Sequence, residues 1–209
     1  MAHPQVTMHG GHAAALEPSP FGMSSKKLVM WLFITADAAT FGAILFGYGF
    51  LRAAAPDWPR PFEFTPTILN GLVMTFVLLT SSLTMLQAVA ASGRDDRPGT
   101  ARWMGVTILL GALFAFLHLR EWFKMFAEGW GLHANPTGGP VDFGASFFSI
   151  TGLHLLHVIS GLVALAVVAI LFRRGRLTPN HIETTGLYWH FVDLVWMFVF
   201  PLVYLMNAH

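Results

Sequence analysis

The run Tyr188-Trp189-His190-Phe191-Val192-Asp193-Leu194-Val195-Trp196 is apolar enough to cross a membrane, yet it carries an imidazole and a carboxylate. Three residues apart, His190 and Asp193 share one face of a helix. Two chemistries fit such a pair. One is structural, a buried polar couple that locks a helix against its neighbours. The other is a proton or metal site. A charge at bilayer depth is expensive and faces protein or water rather than lipid, so the pair marks a candidate and no more. His154/His157 and His118/Glu121 have the same spacing, and Asp37 stands alone in another apolar run. Carboxylate-bridged di-iron bundles use Glu-x-x-His with the Glu first, plus two further Glu. Here the order is reversed and the carboxylates are too few. A bis-His haem site needs two imidazoles facing each other at one depth, and His154 with His190 is the pair that fits.

These residues need elements to hold them. The 209-residue chain is 55% hydrophobic and 11% charged, against about 25% charged in a soluble domain. Its mean hydropathy is +0.58. Most of such a chain cannot face water, so it reads as an integral membrane protein. A net charge of +1 and no basic stripe argue against a nucleic-acid partner. There is no cysteine, which excludes disulfides, Cys-ligated zinc, iron–sulfur clusters, covalent c-type haem and a thiolate copper site on this chain.

Five apolar segments are each long enough to span hydrocarbon: about Leu28 to Leu51, Pro66 to Ala91, Trp103 to Phe123, Phe143 to Phe172 and Thr185 to Asn207. They are continuous rather than alternating, so they predict helices and not barrel strands. The expected fold is all-α, a bundle of five transmembrane helices. Residues 1–25 read as a polar, mobile tail, with His3, His9 and His12 solvated rather than metal-bound. Residues 26–209 read as one membrane domain without internal repeats. The run after Lys26 and Lys27 is too long for a cleaved signal segment and is expected to stay as the first helix.

With five alternating helices, one side holds Lys26, Lys27, Arg94, Arg97, Arg102, Arg173, Arg174 and Arg176, and the other holds Arg52, Arg60, Arg120 and Lys124. The positive-inside rule then predicts the N-terminus in the cytoplasm and the C-terminus outside. At 1.5 Å per residue, Asp37, His154, His157, His190 and Asp193 fall in one layer of the inner half of the bilayer. That layer predicts one polar network joining the first, fourth and fifth helices. His118 and Glu121 are expected near the outer interface, where charge is cheap. Small residues, Ala39, Ala43 and Gly47 on the first helix and Gly152, Ser160, Gly161 and Ala164 on the fourth, predict close helix approach.

Several of these residues carry a family resemblance. The segment Tyr188 to Trp196 resembles the last-helix signature of haem–copper oxidase subunit III. Thr151-Gly152-Leu153-His154-Leu155-Leu156-His157-Val158, with Gly161 after it, resembles the penultimate helix of that family. Asp37 falls where the family has a helix-buried carboxylate, more often Glu. Leu117-His118-Leu119-Arg120-Glu121-Trp122 resembles its Glu-plus-aromatic segment. The resemblance covers residues 26–207. Long members have seven helices; this five-helix chain is similar to the bacterial forms that lack the first two.

The resemblance implies a non-catalytic subunit of a respiratory-chain terminal oxidase in the bacterial cytoplasmic membrane. Such an enzyme reduces O2 to water with proton translocation. No catalytic, cofactor or metal residue is then expected here, and haems and copper belong to partner subunits. Subunit I is the implied main contact, with subunit II, small accessory subunits and phospholipids as further partners. The implied roles are bracing subunit I, supporting proton uptake and aiding O2 access. Cytochrome c is preferred over quinol as donor on the wording of the Tyr188 segment. Other readings are a quinol-oxidase subunit III, a nitric-oxide-reductase accessory subunit, a small proton-coupled transporter and a bis-His haem membrane protein.

Overall fold

The computed structural model describes Gly22 and residues 24–139 and 141–208. The tail expected at residues 1–25 lies almost wholly outside the described residues. Five long helices carry the described chain: α1 (Ser25–Ala54), α2 (Leu69–Gly93), α3 (Arg97–Ala127), α4 (Asp142–Arg173) and α5 (Pro179–Val199). A π turn, Phe64–Ile68, leads into α2, and α5 runs on through wider and tighter turns to Asn207. All five are long and apolar enough to cross a membrane. Among the described residues there is no strand, only two isolated bridges.

Local chemistry sets the ends. Asp96 caps α3 by accepting from the Gly99 N–H at 2.9 Å, and Pro98 follows in the first turn, where a missing N–H costs nothing. Only Arg94, Asp95 and Asp96 separate α2 from α3, so the two are antiparallel neighbours. Gly175 sits at φ +73, the left-handed position that closes a helix end. Its N–H meets the Phe172 carbonyl at 2.9 Å, and the next N–H meets Leu171 at 3.0 Å. A side chain there would also strike the Arg97 guanidinium. Thr178 and His181 form a capping box at the start of α5, and Pro179 follows. Polar ends such as Arg97, Lys124 and Pro179 lie on the helices, so α3 and α5 begin six residues before the apolar runs that announce them.

The last helix is the hub. It packs against α1, α2 and α4, and 56% of its most apolar stretch is buried, against 11% for α1. Trp189 and Trp196 on α5 are fully buried, Trp196 beside the rings of Phe114 and Tyr204. Ile34, Phe41 and Tyr48 are the residues of α1 that the bundle buries, a seven-residue repeat that makes one apolar seam. The rest of α1 presents Val29, Leu32, Phe46 and Phe50 outward.

Glycines let the helices approach. A Cβ at Gly111 on α3 would lie 2.5 Å from the Trp189 ring, and at Gly161 on α4 it would lie 3.0 Å from the same ring. Gly152 faces Trp122 in the same way. The expected stripe on α1 does not behave so. Ala39 and Ala43 are exposed, and a Cβ on Gly47 would meet nothing. A four-residue repeat of small residues fixes a face, but this face is turned away from the bundle.

Candidate functional site

The polar groups of the membrane layer gather in three places rather than one. The first lies between α1 and α4. Asp37 Oδ2 stands 3.0 Å from His157 Nε2, with both side chains mostly buried. The other ring nitrogen, Nδ1, lies 2.7 Å from the Leu153 carbonyl. A carbonyl can only accept, so Nδ1 carries the hydrogen. Nε2 of a neutral His157 then offers a lone pair to Asp37. The contact therefore needs one further proton, held by the imidazole or by the carboxyl, and the pair shares it.

The second place lies between α2 and α5. The Ser82 hydroxyl meets His190 Nδ1 at 2.9 Å and makes a short contact with Asp193 Oδ2. His190 and Asp193 share a face, as their spacing predicts, and a serine on the neighbouring helix bridges them. Next to it, the Trp189 indole N–H donates to Ser81 at 3.0 Å. Thr84 and Thr107 meet at 2.8 Å where α2 crosses α3.

The third place is the centre of the bundle. His154 has no exposed surface and stacks on Trp196 at 5.3 Å, edge-on to Phe114 at 5.7 Å. His118 contacts the same two rings, at 5.6 and 5.7 Å. Neither imidazole has a hydrogen-bond partner among the described residues, nor does the Tyr204 hydroxyl. Imidazole N–H groups edge-on to aromatic faces make weak hydrogen bonds with the ring electrons.

Two sequence expectations are corrected here. The single network of Asp37, His154, His157, His190 and Asp193 is divided. Asp37 pairs with His157, His190 and Asp193 pair through Ser82, and His154 joins neither by a hydrogen bond. The helical rotation between His154 and His157, about 300°, points the first into the core and the second toward α1. His118 and Glu121, expected where charge is cheap, are both turned into the bundle. They are 0% and 5% exposed. Glu121 accepts from Asn70 Nδ2 at 3.2 Å, and Arg120 donates to the Asn70 oxygen at 3.2 Å. Met104, Thr107, Gly111, Phe114, His118, Glu121 and Met125 recur at three- and four-residue steps and make the inward face of α3. Hydropathy gives the depth of a residue, whereas this rotation sets its burial.

Sequence reasoning missed Ser82 and Asn70. Their only signal is position: they are polar residues in a helix without a charge. His190 meets Ser82 through Nδ1, whereas His154 packs in the aromatic core against Phe114 and Trp196. Among the described residues, no group of three or more His, Cys, Asp or Glu is arranged to hold a metal ion.

Comparison with known proteins gives the context. The family model for cytochrome c oxidase subunit III matches residues 4–208. The cytochrome bo(3) ubiquinol oxidase subunit 3 of Pseudomonas aeruginosa is 35% identical over 184 residues, 85% of this chain and 83% of that protein. The cytochrome c oxidase subunit 3 of Alkalihalophilus pseudofirmus is 31% identical over 190 residues, 88% of each chain. The heme-copper oxidase subunit I+III of Aeropyrum pernix is 30% identical over 200 residues, 91% of this chain and 24% of that longer protein. With helices, motifs and relatives in agreement over nearly its whole length, this multi-pass membrane chain belongs to the cytochrome c oxidase subunit III family, the third subunits of haem–copper terminal oxidases.

Proposed function

We propose that the chain is the non-catalytic third subunit of a cytochrome c oxidase in the bacterial cytoplasmic membrane, where it braces the haem-bearing subunit I. One observation carries this reading. The Aeropyrum pernix relative is named as subunits I and III together, and this chain matches 24% of it. A fused pair has its two parts side by side. Haems and copper then belong to the partner subunits, and subunit II and phospholipids complete the surroundings. The N-terminus lies in the cytoplasm by the Lys and Arg count.

In this reading the buried polar groups are ties between helices. Asp37 with His157 ties α1 to α4, Ser82 with His190 and Asp193 ties α2 to α5, and Asn70 with Glu121 ties α2 to α3. Intramembrane hydrogen bonds contribute only about 0.6 kcal/mol on average, so they fix register more than they add stability. The experiment is affinity purification of the tagged chain from native membranes in mild detergent. The reading expects stoichiometric recovery with a haem-bearing polypeptide, and recovery of the chain alone, with the haem left in other fractions, refutes it. Quinol as the donor is the second reading, favoured by the Pseudomonas aeruginosa relative. Reduced cytochrome c and quinol, offered separately to the same preparation, distinguish the two.

A further inference from the structure

Where α1 ends, Tyr48, Trp58 and Asn207 lock together. The Trp58 indole N–H, which only donates, meets Asn207 Oδ1 at 2.9 Å. The Val203 carbonyl, which only accepts, meets Asn207 Nδ2 at 2.6 Å. The Asn207 amide therefore has one orientation, and its second N–H goes to the Tyr48 hydroxyl at 2.5 Å. Tyr48 and Asn207 are both buried. Arg52 stands one turn after Tyr48, on the same face of α1. It donates from Nη2 to the Met206 carbonyl at 2.5 Å, so the chain end that Asn207 anchors also fixes one edge of the guanidinium. A guanidinium has five N–H donors, and this carbonyl takes one. Arg52 is half-buried and Arg60 is exposed. Among the described residues, neither is paired with a carboxylate.

Arg52, Arg60 and Asp57 line a cavity of about 500 Å³. A second cavity, of about 270 Å³ and walled by apolar residues alone, lies between α1 and α5. Leu45 borders both, so the two adjoin. Ala38, Gly42 and Gly49 form the α1 side, and a Cβ on either glycine would meet nothing. On the α5 side Leu194 and Phe198 are 55% and 56% exposed, so the groove opens sideways to the membrane. Eleven residues separate Ala38 from Gly49, about 16 Å. One leaflet is half of a hydrocarbon core about 30 Å thick, or about 15 Å. The apolar part therefore has the length of an acyl chain. The Arg52 guanidinium stands about one turn beyond it, at head-group level.

We propose that this groove between α1 and α5 seats one glycerophospholipid, with its phosphodiester on Arg52 and Arg60 and one acyl chain along Ala38 to Gly49. Charge selects the occupant. Two guanidiniums and the Asp57 carboxylate leave a single positive charge, and a phosphodiester supplies a single negative one. The planar fork of a guanidinium matches a pair of phosphate oxygens. Asp57 accepts from the alcohol or amine of the head group. A free phosphate or a peptide carboxylate would satisfy the arginines but leave the apolar slot empty. The lipid enters from the bilayer through the open side of the groove, so no buried atom has to be reached. The site requires only that the chain lies in a membrane, and it is independent of the oxidase partner and the electron donor.

The test is photolabelling of the tagged chain, purified from native membranes in mild detergent with whatever it carries. The probe is phosphatidylglycerol bearing a diazirine in one acyl chain, and peptide mass spectrometry maps the adducts. Label is expected on residues 38–49 of α1 and 191–202 of α5 and its extension. Excess unlabelled phosphatidylglycerol removes it. Inorganic phosphate, which has the charge without the chain, does not. A diazirine diacylglycerol, which has the chain without the charge, labels these positions about tenfold less, the scale of one lost charged hydrogen bond. Arg52→Gln and Arg60→Gln reduce the phospholipid label by the same factor. Gly49→Trp fills the slot and abolishes the label. Gly105→Trp on α3, where a Cβ also meets nothing, leaves it unchanged. Haem recovered with the chain is read separately, because it bears on the oxidase reading alone. The comparison of probes uses the wild type, so it decides the matter even if a variant fails to fold. Equal labelling by the two probes, displacement by inorganic phosphate, or no label at these positions overturns the proposal. So does wild-type labelling in the arginine variants.

Discussion

Removing His157 and removing Asp37 have unequal consequences, although the two residues make one contact. His157→Leu leaves a carboxylate in the membrane layer with no partner. An unpaired carboxylate at a helix centre costs about 2.5–3.5 kcal/mol on insertion scales. The Asp37 side chain keeps 15% of its exposure, which reduces the expected cost to about 2–3 kcal/mol. Asp37→Leu leaves a neutral imidazole whose Nδ1 still donates to the Leu153 carbonyl. Only the Nε2 acceptor loses its partner, at about 1 kcal/mol. The double variant removes both polar atoms and closes the seam with leucines, so it returns to within about 1 kcal/mol of the wild type. The cycle therefore predicts a coupling of roughly 2–4 kcal/mol, above the average for membrane hydrogen bonds because one single variant strands a charge. The assay is equilibrium unfolding of the purified protein in mixed micelles with rising SDS, followed by tryptophan fluorescence. Buried Trp189 and Trp196 report loss of the core. Equal costs for the two single variants, or simple additivity in the double, would refute the shared-proton pair.

Other predictions follow from the same contacts. Gly111→Leu drives a side chain into the Trp189 ring 2.5 Å away and should cost about 1–3 kcal/mol in the same unfolding assay, with Gly105→Leu, which meets nothing, as a neutral control. Asp193→Asn keeps the shape and adds a donor, so subunit stoichiometry and oxygen consumption per haem should stay near wild type. Asp193→Leu deprives Ser82 and His190 of their partner and should loosen the chain from the complex, as seen in the subunit ratio after detergent washing. Single cysteines at Arg94 and Asp57, in loops at opposite ends of α2, test orientation: an impermeant reagent should label only position 57 in intact cells, and labelling at position 94 reverses the topology.

The number and order of helices were legible because five uninterrupted apolar runs leave little choice in a bilayer. So was the His190/Asp193 pairing, which depends only on a three-residue step along one helix. The face each helix turns to its neighbours was not legible. α4 is apolar all round, so nothing in its sequence says that His154 enters the core while His157 turns to α1. Likewise His118 and Glu121 stand near the end of an apolar run, where depth alone suggests cheap solvation, yet rotation buries both. Ser82 and Asn70 escaped notice because hydroxyl and amide groups are common in membrane helices and acquire meaning only from what lies opposite. Ala39 and Ala43 erred the other way, a packing stripe without a packing partner in the chain.

The central claim is that this chain holds no redox centre and serves one that does. The direct measurement is selective removal of the chain from the purified complex, followed by metal analysis, a haem spectrum and oxygen consumption on both fractions. The account predicts that the depleted complex keeps all its haem and copper and still reduces oxygen, while the released chain shows no Soret band. Haem or copper leaving with the chain, in proportion to the chain removed, would contradict it.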